Sequence, residues 1–154
     1  MLSWMKRSNL GHLNCSIARS LDVLGEWWTL AILRNAFLGV RRFDDMIEDL
    51  GISRAVLTDR LATLVEHGIV ERQRYQHRPD RYEYRLTDKG RDLFDVVIAL
   101  MRWGDRWLSP EHGPPIVITH RACGHDITGP RRCEHCGVPL DAREVTYGPG
   151  PGAR

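Results

Sequence analysis

Residues 51–86 read GISRAVLTDRLATLVEHGIVERQRYQHRPDRYEYRL, and this stretch decides the fold. Ser53 is suited to cap a helix start, and Leu57, Leu61, Leu64 and Val65 follow on one face of a helix until Gly68 stops the pattern. The opposite side carries Ala55, Thr58, Asp59, Ala62 and Thr63. A helix that meets only water usually holds long charged side chains there; short ones leave room for something large to lie against it. Directly afterwards IVERQRY (69–75) and YEYRL (82–86) alternate with the period of a strand, and QHRPDR between them offers Pro79 as a turn former. A helix followed at once by a hairpin is therefore expected.

Upstream, SIARSLDVL (16–24) has Ile17, Leu21 and Leu24 at helical spacing before Gly25. EWWTLAILRNAFLG (26–39) is apolar nearly all round, which predicts a helix at the centre of a small domain, and Phe43, Met46, Ile47 and Leu50 mark a third helix closed by Gly51. Downstream, Thr87 is placed to cap one long helix, TDKGRDLFDVVIALMRWGDRWL (87–108), whose apolar stripe is too wide for one intramolecular contact. Val96, Leu100, Trp103 and Trp107 are expected to pack on the domain. Phe94, Ile98, Met101 and Leu108 are then left to face a second copy, which predicts a homodimer through the N-terminal and C-terminal helices.

The chain has 154 residues, 42% hydrophobic and 27% charged, a mixture that fits one domain of about 100 residues plus an accessory piece. Its 22 basic and 20 acidic residues leave +2, which excludes a binder that works by global charge. The balance is uneven, however: residues 72–91 hold Arg72, Arg74, Arg78, Arg81, Arg85, Lys89 and Arg91 against Asp80, Glu83 and Asp88. Arginine presents a planar fork suited to phosphates and guanine edges. Three helices, the last two joined by a tight turn, then a basic hairpin, give the order of a winged helix-turn-helix, with 53–67 reading the DNA major groove and 69–86 forming the wing. The expected fold class is α+β, mainly α with a small β-hairpin, and a C-terminal zinc-ribbon-like appendage.

CSIARSLDVLGEWWTLAILRNAFLGVRRFDDM (15–46), LGISRAVLTDRLATLVEHGIVERQRY (50–75) and YEYRLTDKGRDL (82–93) resemble the HxlR-type regulators, a branch of the MarR-like winged-helix proteins. The resemblance implies a homodimer that binds a double-stranded DNA operator with two reader helices about one duplex turn apart. It implies DNA contacts at Ser53, Arg54, Ala55, Thr58, Asp59 and Arg60. Arg54 is the candidate for a guanine or phosphate, and Ser53 and Thr58 for backbone oxygens. Arg78 and Arg81 are assigned to the wing, and Arg41 or Arg42 to a flanking phosphate. Cys15, at the threshold of the first helix, is where part of that family senses oxidants or electrophiles; the helix dipole there favours a thiolate.

Beyond Pro110 the composition changes to Gly, Pro, His and three of the four cysteines. His120-Arg-Ala-Cys123-Gly124 and Cys133-Glu-His-Cys136-Gly137 are two ligand-x2-ligand-Gly turns, the spacing with which zinc ribbons assemble a tetrahedral site. The expected metal ligands are His120, Cys123, Cys133 and Cys136, with His125 an alternative fourth ligand and His135 a weaker one. Such a closed structural Zn site leaves no position for catalytic water. No organic cofactor and no enzyme activity are expected; a thiol or zinc-dependent oxidoreductase and a winged-helix protein-docking module are the competing interpretations. The expected organisation is a DNA-binding and dimerisation domain at 1–110, a Cys/His-rich segment at 111–147 and a disordered tail at 148–154. Without an apolar run long enough to span a membrane, or a signal peptide, the protein is expected to be cytoplasmic.

Overall fold

The computed structural model describes residues 10–108, 111, 113–127, 129, 131–139, 142, 143, 145, 149 and 151. Of the tail expected at 148–154, all but 149 and 151 lie outside the described residues. The chain divides into two compact units, Met1–Ala99 and Leu100–Arg154, so the division falls inside the last long helix rather than near Pro110.

A 3-10 turn, Leu10–His12, leads into α1, Ser16–Leu24. Helices α2 (Trp27–Phe37), α3 (Phe43–Leu50) and α4 (Arg54–Glu66) then build the core with strand β1 (Val70–His77). Ile32 and Leu33 of α2, Met46 of α3, Leu57, Leu61 and Leu64 of α4, and Ile52, Ile69 and Val70 form one buried cluster. Removing each of these large side chains from water contributes about 1.5–3 kcal/mol. The expected apolar faces of α3 and α4 are therefore the ones turned to the core, except that Val65 stays partly exposed. Helix α2 is buried on one side only: Trp27 is 94% exposed, so the all-round apolar run does not mark a wholly interior helix.

Strand β1 pairs antiparallel with β2 (Asp80–Leu86), from Val70 opposite Leu86 to His77 opposite Asp80. The strands run further than the alternation indicates. The register shifts between Arg74 and Gln76, so Tyr75 is an extra residue in β1, and only Arg78 and Pro79 remain to close the turn. A bulge breaks strict alternation, which hides the strand ends from a period-two pattern. The segment before α3 joins the sheet edge: Arg42 bridges Glu83, and the Tyr84 N–H donates to the Arg41 carbonyl at 2.8 Å.

The expected single helix from Thr87 is two. Thr87 caps the short α5 (Asp88–Arg91), its hydroxyl accepting from the Gly90 N–H at 3.1 Å, and α6 (Phe94–Trp107) starts afresh. Local ties to the wing base turn the chain here: Thr87 Oγ1 donates to the Gly68 carbonyl at 2.6 Å, and Arg91 Nη1 to the Leu86 carbonyl at 2.8 Å. Gly90 is buried against that base, where an added Cβ would lie 2.1 Å from the Ile69 carbonyl oxygen. Gly90→Ala is therefore expected to destabilise the fold by about 1–3 kcal/mol, as overpacking does. A chemical denaturation midpoint equal to that of the parent would refute this contact.

The faces of α6 follow the expectation only in part: Leu108, 70% exposed, is outward as expected, but the rest of the division does not hold. Ile98 is 7% exposed and Met101 partly covered, whereas Val96, Leu100, Trp103 and Trp107 are exposed. Phe94 is partly exposed and packs its ring on Phe37, with centroids 5.5 Å apart. The stripe spans more than half a turn, and periodicity alone does not say which edge the core takes.

Candidate nucleic-acid interface

The N-terminus of α4 is set by Ser53, whose hydroxyl accepts from the Val56 N–H at 3.3 Å. With Leu57, Leu61 and Leu64 buried, the outward face consists of Arg54, Ala55, Thr58, Asp59 and Ala62, all exposed, and of Val56. Val56 is an outward residue that the pattern did not single out; it lies beside the buried Leu57 in sequence, and only the capped start of the helix fixes its side. Arg54 Nη1 lies 2.8 Å from Asp44 Oδ1, and its guanidinium sits 5.0 Å from the Phe43 ring centroid. Both side chains of this ion pair are mostly in solvent, 70% and 79% exposed, so the pair is easily exchanged for another partner.

Arg60 departs from its expected place. Its side chain is 13% exposed, ion-paired to Asp59 and 3.9 Å from Glu26 Oε1 near the start of α2. One turn and a half beyond Arg54, the helix has rotated that position toward the rest of the domain.

Arg41 and Arg42 are exposed just before α3. The Arg42 guanidinium stacks 4.8 Å from the ring centroid of Tyr75, the bulged residue of β1. Residues 42–44 thus connect the start of α4, through Phe43 and Asp44, to the wing, through Arg42 and Tyr75. Tyr75 had no signal in the sequence, because its role depends on the bulge.

The wing shows where the local basic surplus resides. Asp80 neutralises Arg74 at 3.4 Å, Glu83 pairs with Arg85 at 2.6 Å, and Asp88 with Arg91 at 2.5 Å. Arg72 stacks 3.6 Å from the Tyr82 ring centroid and Lys89 donates to the His67 carbonyl at 2.7 Å. Arg78 and Arg81, at and beside the turn, are exposed and form no ion pair among the described residues. The surplus therefore reaches the wing tip, where a phosphate backbone running past the domain would meet it.

Cys15 is exposed and occupies the N-cap position of α1. The backbone N–H groups of Ala18 and Ile17 in the first turn, with a smaller contribution from Arg19, hold the thiol below the ordinary cysteine value. Beside it Ser16, Arg19, Val23, Leu24, Lys89 and Leu93 help line a cleft of about 340 Å³.

In the C-terminal unit, His120 and Cys123 meet in one turn and Cys133 and Cys136 share another, while among the described residues no three His, Cys, Asp or Glu side chains gather as a metal-binding group.

Residues 23–112 match the family model described as HxlR-like helix-turn-helix. An HTH-type transcriptional regulator of Mycobacterium tuberculosis is 50% identical over 137 residues, covering 89% of this chain and 87% of the relative. The crystal structure of PA1607, described as a putative transcription factor, superposes with a TM-score of 0.80 at 32% identity, over 92% of this chain and 99% of that one. The redox regulator HypR in its reduced form gives a TM-score of 0.56 at 30% identity, over 60% of this chain and 92% of that one. No helix among the described residues is long and apolar enough to cross a membrane.

Proposed function

The chain belongs to the HxlR-like helix-turn-helix family, whose matched relatives are transcriptional regulators rather than enzymes, and we propose that it acts as a homodimer reading a specific operator. The slim outward face of α4, with the solvent-exposed Arg54 at its start, is the observation that carries this reading. That helix fits a major groove, Arg54 takes a base edge, and Ser53 and Thr58 take backbone oxygens. Arg41 or Arg42 holds a flanking phosphate, and Arg78 and Arg81 serve the backbone at the wing. Fluorescence anisotropy with duplexes from the gene's own upstream region tests it: tight binding there and weak binding to random duplex is expected, and equal affinities would refute sequence reading. Arg78→Ala is expected to weaken both affinities and to flatten the dependence of log affinity on log salt by about one phosphate contact, a slope change of about 0.9. An unchanged slope would remove the wing from the interface.

Cys15 is the signal input on this proposal, supported by its position at a helix N-terminus and by the likeness to a redox regulator. Its thiolate takes an oxygen from a peroxide to give a sulfenic acid and releases hydroxide, or adds to a quinone. Because the thiol pKa is lowered, the thiolate is present below the pH at which an ordinary cysteine ionises. Alkylation of Cys15 by iodoacetamide, followed by peptide mass spectrometry against pH, is expected to rise at lower pH than for free cysteine. A profile that coincides with free cysteine, or peroxide release of the operator that survives Cys15→Ser, would sink the sensor role.

A further inference from the structure

The two ligand-x2-ligand-Gly segments of the C-terminal unit fold into the same local structure twice. In the first, the His120 N–H donates to the His125 carbonyl at 2.8 Å, the Gly124 N–H to the His120 carbonyl at 2.8 Å, and Thr119 bridges Asp126. In the second, the Cys133 N–H donates to the Val138 carbonyl at 2.9 Å, the Gly137 N–H to the Cys133 carbonyl at 2.9 Å, and Arg132 bridges Pro139. Every partner in the second turn lies thirteen residues beyond its counterpart in the first. Gly124 and Gly137 both adopt the left-handed backbone, with φ of 70° and 72°, which a side chain would strain.

The first turn already brings its two donors together. His120 Nδ1 lies 3.2 Å from Cys123 Sγ. A nitrogen and a sulfur bound to one tetrahedral zinc stand about 3.6 Å apart, given the usual bond lengths, so this pair needs only a few tenths of an ångström to admit the ion. In the second turn the Gly137 N–H closes on the Cys133 carbonyl at 2.9 Å, which places Cys133 and Cys136 in one tight turn as His120 and Cys123 are in theirs. All four side chains belong to one compact unit.

We propose that His120, Cys123, Cys133 and Cys136 hold one structural zinc ion between the two turns. The repeat decides among the histidines. His120 occupies the position of Cys133, whereas His125 falls opposite Val138 in the strand leaving its turn, and His135 falls opposite Ala122 between the two ligand positions. Binding one Zn²⁺ releases a proton from each of the three thiols that is protonated and leaves His120 neutral, so the closed site carries one net negative charge.

The segment also needs such a clip. None of the described residues beyond 108 is buried, and the only pairings there among the described residues are single bridges. The cysteines are free thiols, so no disulfide supplies the cross-link. A segment of this size lacks the apolar core to fix its own turns, and a metal whose binding is coupled to folding replaces that core. The two pairs stand apart among the described residues, and the ion is what closes one turn over the other.

The test is metal analysis of the full chain, purified without chelator under a phosphine reductant and reconstituted with zinc chloride. About one zinc per chain is expected, reduced to near zero in His120→Ala and Cys136→Ser and retained in His125→Ala and Cys15→Ser. Cobalt(II) loading of the unsubstituted chain gives a reading that needs no variant to fold: an intense visible absorption of tetrahedral, thiolate-bound cobalt is expected. Zinc near zero with four reduced thiols, the weak spectrum of octahedral cobalt, or loss of metal in His125→Ala with retention in His120→Ala would each overturn the assignment.

Discussion

Replacing Arg54 by alanine is expected to weaken operator binding by about 1–3 kcal/mol per protomer, the range for a bidentate arginine on guanine, and by about twice that for a dimer with two well-separated half-sites. Binding to random duplex should change by no more than one phosphate contact. The competing interaction is the ion pair with Asp44. Because both groups are mostly in solvent, that pair is worth at most about 1 kcal/mol, less than a base contact, so DNA wins the guanidinium. The same pair and the Phe43 ring hold the side chain at the start of α4 before DNA arrives, which lowers the rotamer entropy lost on binding. Anisotropy titrations with specific and random duplexes separate the outcomes. Equal losses on both would make Arg54 a phosphate contact and remove it from base reading. Thermal melting serves as the control and should be nearly unchanged, since Arg54 contributes little to the core.

Residues whose role is set by short-range patterning were legible in the sequence. Ser53, Leu57, Leu61 and Leu64 specify a capped, half-buried helix, and the three acids in the wing region specify how many arginines are neutralised. Residues whose role depends on a break in periodicity were not. Tyr75 reaches Arg42 where the strand bulges, and Gly90, inside the short α5, lets that helix lie against the Ile69 carbonyl because it lacks a Cβ. Arg60 departs for a third reason: its side chain lies toward Glu26, a half-buried partner distant in sequence, which helical spacing does not reveal. The paired Cys/His turns and the preference for His120 were legible as a spacing, and the backbone hydrogen bonds of the two turns repeat at the same interval.

The exposed stripe of α6 gives the other strong expectation. Val96, Leu100, Trp103 and Trp107 recur every three or four residues, and each is about half exposed or more. Such a stripe of large apolar side chains is unusual on a monomer, and on the proposed homodimer it is the surface assigned to the second copy. In a twofold dimer a substitution enters the contact twice, so Leu100→Glu places two carboxylates in an apolar seam. Leaving a charge buried and unpaired costs about 3–5 kcal/mol, a loss of more than about 100-fold in an association constant. Sedimentation velocity is expected to show a 17.7 kDa species, and operator affinity should fall by at least about 100-fold, because a monomer engages only one half-site. Ile98→Ala is the contrasting variant. Ile98 lies on the buried side of α6, so this change should lower folding stability by about 2–5 kcal/mol while the folded protein still associates. If Leu100→Glu remained dimeric and Ile98→Ala dissociated without loss of stability, the interface would lie on the other edge of the helix.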